Sequence, residues 1–530
     1  MSQLNIIGKH VRAGILNAQK RSDARRQALA QAEKYNVVGA GGAFTAAYEQ
    51  LRNAAENTDE HLLLQNAIRR FFKQLFIVRD ETLVRQSGTE LVIELTFAGY
   101  IPNDNVAPEQ IEAITELARQ HYAAFEKLQK RRSINADRST SWVLETLSVR
   151  VAQLIAPKER DVAFMDFAYE YFEQAIPRDA VSKTTRDEYG AALYVAIHRA
   201  LMKSDTATAR AGLLLRYGVS VEHLDQFVAY NQKIDALLQG SVDDELYRIV
   251  DRQGAPLRIV RRMMETREDV PELLLKREVF LEAFEQQVTK EYTNIMGRIN
   301  RAIMRSVMFL IITKFLIGVA IEVPYDMWAH GAILWQPLII NLFFPPVYMV
   351  LLRFTLNTPG YANTSALVNR VDTMLYSDST TLVRRQLGGR KYSVVFSALY
   401  GASSLVVFAA TIWILLLLNF SLVHIAIFFF FFSAASFLGF RLSRMIRDLE
   451  IVRSASNGLT FVRDTIYLPF VVAGRWMSDK YAQVNIVSII LDMLIELPLK
   501  TILRLVRQWS AFIDDRKDRI TNLADRKSVV

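Results

Sequence analysis

The sequence predicts an all-α chain in unlike parts: a soluble multi-helix N-terminal domain, a polytopic α-helical membrane domain with four spans in two hairpins, and an amphipathic helical tail. Three observations lead there. Long apolar runs are confined to the stretch after Arg305, the Lys and Arg flanks of those runs alternate, and apolar residues elsewhere recur at helical rather than strand spacing.

At 530 residues the chain has room for more than one core, since single cores rarely grow beyond about 250 to 300 residues. Charged residues make up 22% and the mean hydropathy is +0.11, an average that conceals a charged first half and an apolar second. The net charge of +9 fits nucleic acid, an anionic lipid surface or topology signals. Basic residues crowd beside the apolar runs, so the lipid bilayer is the expected partner and nucleic acid is disfavoured. No cysteine is present, which excludes disulfides, thiolate zinc sites and iron–sulfur clusters. Residues 1–27 lack the apolar core of an export signal and carry Lys9, Arg12, Lys20, Arg21, Arg25 and Arg26, as a basic amphipathic helix or an organellar transit segment does.

Within 1–270, Ile111, Ile114, Leu117, Ala118, Tyr122, Phe125 and Leu128 form one helical stripe behind Pro108, and 142–155, 162–176, 189–202 and 221–238 read as further helices. The run 89–97 suits a strand or a buried helix. Residues 271–305 keep one apolar face and lead into the first span. They form either one continuous stalk of about 75 to 80 Å, counting the span, or two helices broken near Gly297.

A bilayer core of about 30 Å needs roughly 20 helical residues. The candidate spans are 306–323, 331–352, 394–418 and 420–440. Arg298, Arg301 and Arg305 precede the first; Arg353, Arg370, Arg384, Arg385, Arg390 and Lys391 separate the second from the third; Arg441, Arg444, Arg447 and Arg453 follow the fourth. Residues 324–330 and Asn419, the other two connections, contain neither Lys nor Arg. The chain is therefore expected in a cell or inner membrane with both termini cytoplasmic. The single-residue connection makes the third and fourth spans antiparallel neighbours, and Ser397, Gly401, Ala435 and Gly439 supply small residues for close approach. In the tail, 441–530, the apolar run 465–474 is broken by Pro469 and too short to cross. Residues 485–513 are amphipathic, with Lys500, Arg504, Arg507 and Trp509 expected near lipid headgroups or packed on the soluble domain.

Chemistry leaves few marks. Phosphate-binding glycine loops and nucleophile elbows are absent, and the seven histidines show no metal-ligand spacing, so no catalytic, cofactor or metal residue is assigned and the reading leans away from an enzyme. Lys314 stands out, because a cation near the middle of a span costs roughly 2.5 to 3.5 kcal/mol on insertion scales. Asn341 and Glu322 are the candidate partners. Glu322 lies about 12 Å further along the axis, which puts direct contact within one regular helix out of reach. Pro337, Pro345 and Pro346 suggest a broken second span, or a re-entrant pair formed with the first. Two functions compete. One is a membrane-anchored scaffold or regulatory module that docks a protein partner on its helical domain. The other is an ion or small-solute channel or transporter subunit built around Lys314, Glu322 and Asn341, in a homo-oligomer if so.

Overall fold

A computed structural model of the protein describes residues 3–37, 45–46, 49–50, 52–53, 62–131, 134–178, 186–377, 394–452, 458–484, 509, 513 and 516. Among them every regular element is a helix. The chain divides into two compact units, one of Met1–Arg12, Glu170–Ala180 and Arg248–Val484, the other of Ala13–Tyr169, Val181–Tyr247 and Asn485–Val530. Of the segment 485–513, expected to be amphipathic, Lys500, Arg504 and Arg507 lie outside the described residues, and Trp509 is exposed.

The second unit is a stack of short amphipathic helices. Its central helix, Pro108–Gln129, starts on the proline and buries Ile111, Ile114, Ala118, Tyr122, Phe125 and Leu128 on one stripe. Residues 89–97 belong to the helix Ser87–Phe97, which buries Leu91, Val92 and Leu95. A buried Arg210 fixes three further helices to one another. It donates to Glu145 on Ala136–Ile155 and to Asn231 and Asp235 on Leu224–Leu238, while Trp142 Nε1 donates to the other oxygen of Asp235 at 3.0 Å. Each polar atom of this group finds a partner, so its burial costs little.

In the first unit, Arg277–Ile317, a π-helical turn Gly318–Glu322 and Val323–His330 run as one helix of 54 residues, about 80 Å long. It passes through Gly297 without a break, and 324–330 is helix rather than connection. Pro324 explains the wide turn: it has no N–H to offer residue 320 and its ring crowds that carbonyl, which opens the helix just before the proline. Three more helices are long and apolar enough to cross a membrane, Trp335–Thr355, Val394–Leu417 and Leu422–Arg447. The second of the four stays helical through Pro345 and Pro346, so the expected break does not occur.

The first three of these helices keep most of their apolar side chains on the outside, and the fourth buries half of its own. On Val394–Leu417 only Leu415 is buried, and Met308, Phe309, Ile312, Phe315 and Leu316 of the long helix are all exposed. Water does not tolerate so much contiguous apolar surface on a soluble protein, whereas lipid does. The turn into the fourth helix is tight: Asn419 takes a left-handed conformation (φ 59°), Phe420 N–H donates back to Leu415 O, and Ser421 caps the next helix. Close packing is not where the small residues suggested. Gly401 faces open space, and a Cβ on Gly439 would strike Leu352 of the second apolar helix rather than the third.

Two helices that apolar runs did not mark complete this unit. Tyr361–Tyr376 is tied to the end of the fourth helix by buried Asn363, which donates to Leu449 O and accepts from Ile451 and Val452 N–H. Gly458–Val484 lies along the fourth helix.

The second unit also holds a proton-linked element. His121 is fully buried on Pro108–Gln129; its Nδ1–H donates to Leu117 O at 2.8 Å, and Nε2 has no hydrogen-bond partner among the described residues. Burial, opposed by the Leu117 bond, pushes its pKa down from 6.5 to about 4. The fold thus holds the neutral ring while the unfolded chain takes up a proton below pH 6.5. Stability should be complete above pH 6.5 and fall by about 3 kcal/mol as the pH drops to 4. Urea unfolding at pH 7 and 4.5, compared between the wild type and His121→Gln, should show a flatter pH dependence in the variant.

Candidate functional site

Polar side chains inside the apolar bundle converge on one place. Lys314 and Glu322 of the long helix, Asp326 beyond its π turn, Asn341 of the second apolar helix and His424 of the fourth are each at most 2% exposed. Lys314 Nζ lies 3.7 Å from Glu322 Oε1 and 4.4 Å from the Phe431 ring centre. His424 Nε2 stands 3.9 Å from Glu322 Oε2 and 3.5 Å from Asp326 Oδ2. Asn341 Nδ2 donates to Glu322 Oε2 at 3.4 Å and to His424 O at 3.2 Å, which holds the three helices in register.

The sequence put Lys314, Glu322 and Asn341 forward, and the structure brings all three together. It also corrects the distance argument against a Lys314 to Glu322 contact. The wide turn between them adds a residue per turn and so brings both side chains to one face, where the long lysine and the glutamate together span the axial gap. Asp326 and His424 were missed. Asp326 sits in the stretch read as a connection, and His424 was one of the dispersed histidines. Helical spacing was the available signal, since Glu322 and Asp326 are four residues apart and share a face.

One end of this chain of groups approaches the tight turns. Leu334 N–H, in the connection before the second apolar helix, donates to Asp326 Oδ2 at 3.0 Å, and Ser421 Oγ, half-exposed at the start of the fourth, lies 2.8 Å from His424 Nδ1. The other end is apolar. Beyond Lys314 the bundle is filled by Ile299, Ile303, Leu310, Met349, Phe431 and Ala435. Four buried atoms of the cluster have no hydrogen-bond partner among the described residues: Lys314 Nζ, Asp326 Oδ1, Asn341 Oδ1 and His424 Nε2. Pro345 moreover has no N–H to give the Asn341 carbonyl. Among the described residues no group of His, Asp and Glu is arranged to hold a metal ion.

A second feature lies in the other unit, a groove of about 440 Å³ between Pro108–Gln129 and Ala136–Ile155, floored by Leu117 and Leu154 and edged by Glu116 and Arg150. Comparison with family models, curated proteins and solved structures found no match to this chain.

The buried pair gives a direct test of coupling. Lys314→Met leaves Glu322 in the bundle without its cation and should cost about 3 to 5 kcal/mol. The double variant Lys314→Met, Glu322→Gln should recover most of that loss in thermal unfolding of the detergent-solubilised protein; equal losses for single and double variants would disprove the coupling.

Proposed function

We propose that this protein is a multi-pass protein of a cell or inner membrane that binds a small cation inside its helical bundle and passes it across. The buried cluster of Lys314, Glu322, Asp326, Asn341 and His424 carries the reading. Bringing ionised groups out of water costs several kcal/mol each, and a well-packed apolar set in their place is often as stable or more so. Stability therefore gives no reason for two carboxylates, an ammonium and an imidazole to share one dry interior, whereas a path for charge does. A docking scaffold needs none of them. Orientation follows from the flanks: Arg298, Arg301, Arg353, Arg441, Arg444 and Arg447 mark the cytoplasmic end, while exposed Trp328, Trp335 and Trp413 sit toward the tight turns, as interfacial tryptophans do.

The groove at Leu117 and Leu154 supports the second reading, a scaffold that docks a protein partner; co-purification of one soluble protein, lost on Leu117→Asp, would favour it. For the cation pathway, the full chain in liposomes with separate reporters for H⁺, Na⁺ and K⁺ should move one of these, and Lys314→Leu should change the rate at least tenfold. No flux of any of the three would overturn it.

A further inference from the structure

We propose that the cation held at this site is a proton and that His424 carries it, an inference resting on the cation-pathway reading above. Charge counting points there first. Lys314 balances Glu322, whereas Asp326 has His424 as the only basic group within ion-pair distance among the described residues. With a neutral imidazole the cluster bears one net negative charge in a buried place; with an imidazolium it bears none. Proton uptake is the change that makes the site neutral.

The groups facing the ring are suited to both states. From the long helix come Glu322, Asp326 and the Tyr325 ring at 6.5 Å, with Lys314 behind Glu322; the second apolar helix contributes neutral Asn341, and the fourth helix with its turn contributes Ser421 and the Phe420 ring. In the neutral tautomer that faces Nε2–H toward the carboxylates, Nδ1 accepts from the Ser421 hydroxyl. A proton arriving at Nδ1 makes the imidazolium, and Ser421 Oγ turns from donor to acceptor. The Nε2 proton then passes to Asp326 Oδ2, leaving a neutral ring and a carboxylic acid. One proton has entered the ring at Nδ1 and one has left it at Nε2 for a buried carboxylate. A metal cation fits the place less well, since the Lys314 ammonium already stands against Glu322 and would repel it.

The experiment uses the full chain in liposomes carrying a pH gradient, with Na⁺ and K⁺ reporters in parallel. Proton flux without Na⁺ or K⁺ flux is expected, falling at least tenfold in His424→Gln, a variant of similar polarity that does not titrate, and several-fold in Ser421→Ala. Na⁺ or K⁺ flux without proton flux sinks the proton assignment and leaves the cation pathway standing. Unchanged proton flux in a folded His424→Gln removes the histidine's role. If that variant does not fold, the wild-type ion selectivity and Ser421→Ala still decide.

Discussion

The cost of keeping charge out of water organises the apolar bundle. Lys314 and Glu322 cannot sit among Leu310, Phe431 and Met349 unless each supplies what water otherwise would, and they do so across a turn that a regular α-helix does not offer. From that pair the rest follows. Glu322 draws Asn341 onto its second oxygen, Asn341 fixes the His424 carbonyl, and His424 brings its ring between Glu322 and Asp326. Three helices are thereby held at one relative height by polar contacts, while their outward faces are apolar and bare of such contacts.

How much of this was legible depends on what each signal measures. Hydropathy finds residues that break an apolar run, so Lys314, Glu322 and Asn341 stood out. It is blind to a carboxylate just past the end of such a run, and Asp326 falls in the stretch 324–330 that was read as a connection. Proline ends a helix only when nothing accommodates its missing N–H, and here the π turn does so two residues earlier. His424 was invisible for another reason: its meaning lies in being opposite Asp326, a long-range fact with no local spacing.

The fold shows the same division. The Pro108–Gln129 stripe and the four apolar runs followed from period and length alone. The identity of 89–97 did not, since a short apolar run fits either period and packing decided for helix. Gly458–Val484 escaped because Arg475, Asp479 and Lys480 dilute its hydropathy, although Phe470 and Gly474 fit the fourth helix closely. Small-residue patterns misled in the other direction: Gly401 and Gly439 carry the spacing of a contact, but a helix pair must also turn those faces toward each other.

The polar chain is one-sided, and this limits any mechanism. Hydrogen bonds and ion pairs lead from Ser421 and Leu334 to Lys314, and there they stop against Leu310, Met349, Phe431 and Ala435. A charge that enters by the tight turns reaches the ammonium and meets apolar packing, where an unpaired ion is most costly. Onward movement therefore requires the long helix and the second helix to part on the arginine-rich side. Both have weak points near the site, the π turn at Gly318–Glu322 and the carbonyls that Pro345 and Pro346 leave without helical donors. Rigid helices with complete hydrogen-bond ladders would hold the apolar half shut; these two carry their defects at the level of the buried charges, where bending most directly changes how the charges face one another.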